Sequence, residues 1–209
     1  MLHEISTYFR GKRMRRFAAE LQITSSTTVL DIGGTPECWD LLASRPQVTL
    51  LNTPRAKDDV GGSVAWVAGD GRVLPFRDGA FDVVFSNSVI EHVGDRESQQ
   101  RFAREAMRVG RVYWVQTPNR WFPVEQHLLT PLLHWLPRRW QRVLAPRLNV
   151  WQYVVRPSED RRTFYLQHYL NEVRLLSAAE LQRLFPGARV VRERALGWTK
   201  SLVATGSSR

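Results

Sequence analysis

Asp31, Gly33 and Gly34 stand together in the stretch VLDIGGTPECWDLL, residues 29–42. A carboxylate at the end of a short apolar run, followed at once by two glycines, suits the binding of a small cationic group. The glycines let the backbone turn tightly and approach a ligand closely, and Asp31 can receive an amine. A dinucleotide loop would need G-x-G-x-x-G, with a pyrophosphate resting on the next helix N-terminus. Here the third glycine is absent, and Thr35, Pro36 and Glu37 follow the pair. Thr35 is expected to cap the next helix, and Pro36 suits its first position. Glu37 adds negative charge where a phosphate would sit. The stretch therefore points to a cofactor without phosphate, and S-adenosylmethionine is one such molecule. A plain strand–turn–helix with a capping aspartate remains the alternative at this point.

Further candidates follow along the chain. Asn52, with Thr53 beside it, ends the second apolar run and can bond ribose hydroxyls without the charge of an acid. Asp70 can accept from an exocyclic adenine amine, and the turn amides of Gly71 and Arg72 can bond ring nitrogens. Glu125 and His127 lie two apart in TPNRWFPVEQH, residues 117–127. His127 is the candidate general base or orienting group for an acceptor nucleophile, with polar loop residues holding a lid as the alternative. His92 is expected to line the cofactor pocket or to cap a helix. His168 can enter from the lid, and His134 reads as packed. No Asp/His spacing forms a metal motif, so no metal is expected.

These residues need strands to carry them. TTVLDI (27–32), QVTLLN (47–52), SVAWVAGD (63–70), AFDVVFSN (80–87) and GRVYWVQTPN (110–119) are short apolar runs that end in turns. Helical patterns fall between several of them, at 37–44 and at 95–109 with Phe102, Ala103, Ala106 and Met107 on one face. Alternating strands and helices predict a mostly parallel α/β sheet covered on both sides, whose strands read as continuous apolar runs. Such sheets bind ligands at the carboxyl ends of their strands. A basic helix over 1–24 precedes the sheet. Residues 120–176 are rich in aromatics and arginine with no clear strand, and read as a lid inserted after the fifth strand. Within it, 130–144 reads as an amphipathic helical hairpin broken at Pro137. SAAE (177–180) is a capping box, and two strands over 188–196 and 197–205 close a single domain of 209 residues.

The run GDGRVLPFRDGAFDVVFSNSVIEH (69–92) resembles the class I S-adenosylmethionine-dependent methyltransferases. The resemblance covers about 27–119 and, loosely, the last strands. It implies a Rossmann-like sheet of seven strands with a C-terminal antiparallel hairpin. It places Asp31, Gly33 and Gly34 on the family's first glycine motif, Asn52 on its ribose-binding acid, and Asp70 on its adenine-contacting acid. Ser86, Asn87 and Ser88 fall on the fourth-strand end beside the methionine moiety. Thr35 and Glu37 replace later glycines, and Asn52 replaces the acid.

The charge bears on the acceptor. The formal net charge is +10, and 27 of the 30 basic residues are arginines. A basic surface favours anionic partners. With the aromatic lid, it fits a lipid-linked or amphipathic small molecule, a glycan precursor, or RNA. The fourth-strand end SNSV lacks the Asn-Pro-Pro-aromatic pattern of many nucleic-acid methylases, which favours the small-molecule, lipid-linked or glycan classes. An RNA methyltransferase and a non-catalytic S-adenosylmethionine-binding protein are the rivals. Cys38 is the one cysteine, which excludes a disulfide framework within the chain. No run reaches the roughly 20 apolar residues that span a bilayer. The expectation is a cytoplasmic protein, with peripheral membrane contact through 130–144.

Overall fold

The computed structural model describes residues 2–54 and 64–208. Met1 and Ser63, which two of the predicted elements include, lie outside them. Seven strands form one sheet: β1 (Thr28–Ile32), β2 (Gln47–Asn52), β3 (Ala65–Ala68), β4 (Phe81–Asn87), β5 (Gly110–Pro118), β8 (Arg189–Ala195) and β9 (Trp198–Ser207). Their order is β3-β2-β1-β4-β5-β9-β8. β1 to β5 pair in parallel, and the β8–β9 hairpin returns antiparallel to β5. The chain leaves β1 toward β2 on one side and comes back at β4 on the other. The carboxyl ends of β1 and β4 therefore flank the reversal point, where open α/β sheets hold ligands.

Alternation along β1 serves two cores. Leu30 and Ile32 pack with Val84, Val115 and Phe102 beneath α2 (Arg96–Val109) and α6 (Ala178–Leu184). Val29 packs on the opposite face with Val83, Phe85 and Trp114 beneath α1 (Leu2–Glu20). Phe17 of α1 meets Trp39, Phe85 and Trp114 edge-on, with ring centroids 5.9, 4.9 and 5.6 Å away. The predicted basic N-terminal helix is thus a covering layer of the sheet, and it ends at Glu20, short of the predicted residue 24.

Three expectations are corrected. The helix predicted over 37–44 is a short 3-10 helix, Pro36–Leu41, after which Leu42 is extended. Pro46 biases Arg45 away from helix, which leaves no room for a longer one. Thr35 stands at the cap position, yet its side chain makes no capping bond; the turn closes when Cys38 N donates to the Thr35 carbonyl at 3.3 Å. The predicted hairpin over 130–144 is also absent. Leu132 takes a left-handed φ of 57°, which breaks any helix there. The segment instead gives a strand pair, β6 (Val124–Glu125) with β7 (Thr130–Pro131), then a 3-10 turn at Leu133–Trp135, then α3 (Arg138–Leu148). With α4 (Val150–Val155) and α5 (Glu159–Asn171) these form the lid, which has its own core of Leu128, Leu133, Ala145, Leu166, Tyr169 and Val173. The capping box at Ser177 is present: Glu180 N donates to Ser177 Oγ at 3.3 Å, and Ser177 N to Glu180 Oε2 at 2.7 Å.

Candidate functional site

Two cavities adjoin at Gly33, which borders both. The first, about 330 Å³, lies at the ends of β1, β4 and β5, between Asp31, Gly34, Asn87, Ser88 and Gln116. Asp31 is fully buried. Its Oδ2 accepts from Trp39 Nε1 at 2.8 Å, and its Oδ1 has no partner. Burial, only partly opposed by the Trp39 bond, raises its pKa to about 7. Gly34 has to be glycine, because a Cβ there would lie 1.8 Å from Asp31 Oδ2. Gly33 takes a left-handed φ of 76° against Val89. Ser88 is also left-handed (φ 58°), pinned by Gln116: its N–H donates to the Gln116 carbonyl at 3.1 Å and its Oγ to Gln116 Oε1 at 2.9 Å.

The second cavity, about 490 Å³, is lined by Asn52, Thr53, Asp70, Gly71, Arg72 and His92. Asn52 Nδ2 donates to the Gly34 carbonyl at 3.0 Å, so the second strand braces the glycine turn. Asp70 is held by Arg72, whose Nη2 lies 2.6 Å from Oδ2 and whose backbone N–H donates to Oδ1 at 2.9 Å. That hydrogen bonding lowers the Asp70 pKa. Arg72 Nε also donates to both oxygens, at 2.9 and 3.0 Å. Three N–H groups of Arg72 thus already occupy most of the about four acceptor positions of the carboxylate. An exocyclic amine would take the remaining one or displace the Arg72 side chain. Of the sequence candidates for cofactor contact, Ser86 alone is turned away from both cavities. It is fully buried and its Oγ donates to the Ile32 carbonyl at 3.1 Å, tying β4 to β1.

The candidate catalytic pair lies behind the cavity wall. His127 Nδ1 is 2.6 Å from Glu125 Oε1, and Leu128 N donates to Glu125 Oε2 at 2.6 Å. Neither side chain borders the two cavities; His92 does. His92 Nε2 stands 3.1 Å from His127 Nε2, and His92 Nδ1 stands 3.0 Å from His168 Nε2. His168 thus enters from the lid, as its position in the sequence suggested. Burial and the two neighbouring imidazoles depress the His92 pKa to about 3. Burial pulls His127 down as well, but its hydrogen bond to Glu125 and the nearby acids outweigh this and raise it. His134 packs against Arg120, its Nε2 2.9 Å from that carbonyl.

Sequence reasoning missed Arg13, Gln116 and Glu91. Arg13 reaches from α1 to Asn87 Oδ1 and binds Glu193 through Nε and Nη2 at 3.0 and 2.6 Å. Its partner lies 180 residues away, and only its place in a basic cluster was visible. Gln116 lies near the carboxyl end of β5, a position type already used for β1, β2 and β4. Glu91 stood in the quoted Glu-His pair, but only its histidine was taken. Glu91 is fully buried, its Oε2 accepts from Thr117 Oγ1 at 3.0 Å, and burial raises its pKa to about 7.

Residues 36–112, from the 3-10 helix to the start of β5, match the family described as a methyltransferase domain. A solved S-adenosylmethionine-dependent methyltransferase from Aquifex aeolicus superposes with a TM-score of 0.53 at 12% identity, covering 94% of this chain and 89% of that one. Over residues 36–112 the chain is similar to a methyltransferase domain, and its sheet has the fold of the solved methyltransferase. The N-terminal domain of EvdMO1, solved with S-adenosylhomocysteine bound, superposes with this chain at a TM-score of 0.53 and 18% identity, covering 96% of this chain and 81% of that one. A Rhodobacter sphaeroides protein provisionally described as a Zn-dependent alcohol dehydrogenase superposes at 0.62 and 14% identity, covering 90% and 85%. Likenesses this distant in sequence show the fold alone. The ajmaline N-methyltransferase of Rauvolfia serpentina is 36% identical over 73 residues, which make up 35% of this chain and 24% of that one. The chain therefore spans about a quarter of that curated relative.

Proposed function

We propose that this protein is a methyltransferase that moves a methyl group from S-adenosylmethionine to an O, N or C nucleophile of a small-molecule, lipid-linked or glycan-type acceptor that enters beneath the lid. The observation that carries the reading is the pair of cavities meeting at Gly33. One holds a buried carboxylate with an unpartnered oxygen, Asp31 Oδ1, and the other holds Asn52 and Asp70. That spacing of functions suits an ammonium at one end and a nucleoside at the other. The chemistry the cofactor supplies is a methyl group on a cationic sulfur, which leaves neutral, so the protein needs no general acid. What the chain contributes is alignment, which in favourable cases lowers a barrier by about 7–11 kcal/mol.

The acceptor class is argued from the lid. A third cavity of about 560 Å³ is lined by Arg96, Arg120, Arg138, Arg174, Trp135 and Tyr169, among others. Guanidinium groups with aromatic walls suit an amphipathic acceptor bearing an anionic group. The small-molecule relative supports the same class. Exposed apolar residues on and before α3 support peripheral membrane contact through 130–144.

Calorimetry with S-adenosylmethionine and S-adenosylhomocysteine tests the cofactor. No binding at millimolar ligand would overturn the reading. Binding without label transfer, in a cell extract supplied with methyl-labelled cofactor, would leave a non-catalytic binding protein. A labelled RNA as product would replace the acceptor class proposed here.

A further inference from the structure

With the rings neutral and the carboxylate ionised, three acceptor atoms converge between the sheet and the lid. Glu91 and His92 come from the 3-10 turn Ile90–His92 after β4, and His127 from the loop between β6 and β7. Glu91 Oε1, His92 Nε2 and His127 Nε2 lie within 4.8 Å of one another. Glu91 Oε1 is buried and unpartnered, 3.9 Å from His92 Nε2.

The surrounding hydrogen bonds set the tautomers. Glu125 accepts at both oxygens, so His127 Nδ1 is the donor to it at 2.6 Å. His168 Nδ1 lies 2.8 Å from Glu172 Oε2 and donates there. With one proton per ring, His168 Nε2 is then an acceptor, and His92 Nδ1 donates to it at 3.0 Å. Both rings have spent their proton on Nδ1. Their Nε2 lone pairs face each other at 3.1 Å, with a carboxylate oxygen alongside. Such a cluster calls for a metal ion or an added proton to offset the repulsion.

We propose that Glu91 Oε1, His92 Nε2 and His127 Nε2 form a binding site for a divalent transition metal of the zinc class. Two imidazoles and one carboxylate suit zinc, iron, nickel or copper, whereas magnesium and calcium take oxygen ligands. Two nitrogens bound at 2.0–2.1 Å to a tetrahedral ion stand ~3.3 Å apart, close to the 3.1 Å found. The outer shell is complete, as metal-ligating histidines require: Glu125 orients His127, His168 orients His92, and Thr117 Oγ1 holds Glu91 Oε2 at 3.0 Å. The turn itself is fixed by Gln99, whose Nε2 donates to the Ile90 carbonyl at 3.1 Å, and by Arg174 N, which donates to the Glu91 carbonyl at 2.8 Å. Three protein ligands leave a four-coordinate ion one open position, as in catalytic rather than structural sites. His92 borders the proposed cofactor cavity, which puts the site beside the proposed reaction. That role rests on the methyl-transfer reading; the site itself does not.

The rival occupant is a single proton shared by the two Nε2 atoms, and metal alone separates the two without any cofactor. The full chain, stripped with chelator, is titrated with Zn²⁺ and Co²⁺ by calorimetry and visible absorption. The expected result is one equivalent bound at micromolar concentration or below, tetrahedral-type Co²⁺ bands, and a higher Tm with zinc. Glu91→Gln and His127→Ala are expected to abolish binding, and Glu125→Gln to weaken it by about 10–100-fold. Cys38→Ser removes the one thiol and leaves affinity unchanged. Should the variants misfold, ¹⁵N resonances of His92 and His127 Nε2 in the wild-type chain decide, since both shift on zinc addition if they are ligands. No metal bound by the wild-type chain, unshifted Nε2 resonances, or binding retained in folded Glu91→Gln and His127→Ala, would overturn the site.

Discussion

Asp31 is where pH should act on cofactor binding. Its folded pKa of about 7 lies above the ordinary aspartate value near 3.9. In the ligand-free protein its burial therefore favours the protonated form, and its contribution to stability declines as pH rises from about 4 through about 7. An ammonium against Oδ1 reverses that preference, so binding below pH 7 must expel a proton. The expected outcome is that affinity for S-adenosylmethionine rises about tenfold per pH unit between pH 5 and 7 and then levels. Calorimetry in buffers of different ionisation enthalpy should show one proton released at pH 6. Asp31→Asn should bind more weakly and without this slope; a flat profile in the wild type would remove Asp31 from the ammonium site. Asp31, Gly33, Gly34, Asn52 and Asp70 were legible because each ends an apolar run, and strand ends are where such sheets bind. Arg13, Glu91 and the pairing of His92 with His127 and His168 were not. Their partners lie far along the chain with no local signal linking them: Asn87 and Glu193 for Arg13, Thr117 for Glu91, and His127 and His168 of the lid for His92.

At the level of elements, strands were read more closely than helices. β2 was predicted to the residue, and β1, β4 and β5 to within one at an end, because strands buried on both faces leave an unbroken apolar record. The 37–44 helix failed because a short 3-10 helix, not periodicity, is enough to set Trp39 on Asp31. The 130–144 hairpin failed because a left-handed Leu132 has no sequence mark of the kind a glycine provides. α6 was legible through its capping box, and that motif carries a measurable share of stability. Ser177 Oγ accepts from Glu180 N, and Glu180 Oε2 from Ser177 N, while Leu181 and Leu184 of this helix join the core with α2. Ser177→Ala should lower stability by about 1 kcal/mol, read as a shifted urea midpoint with an unchanged slope. A midpoint equal to the wild type would mean that the cap contributes nothing beyond packing.

For the whole molecule, the proposed reading divides the work between the sheet, which carries the candidate cofactor residues, and the lid, which covers them. The described helices include none long and apolar enough to cross a membrane, yet the lid leaves much apolar surface uncovered. Leu132, Trp135 and Leu136 before α3, and Trp140 and Val143 on it, are exposed, interleaved with exposed Arg139 and Arg142. Scattered exposed hydrophobics are ordinary, but large apolar side chains alternating with arginine suit the interface of an anionic bilayer, where apolar burial and charge attraction add. The chain should therefore float with liposomes containing anionic lipid and much less with neutral ones. Added salt should weaken the interaction, because screening acts on the arginines and not on the buried apolar groups. Trp140→Glu with Val143→Glu should abolish flotation while S-adenosylmethionine binding stays as in the wild type, since neither residue borders the two cofactor cavities. Equal flotation of this variant and the wild type, or none by either, would reject the lid as a membrane-facing surface and leave the arginine-lined cavity beneath it to recruit acceptors from solution.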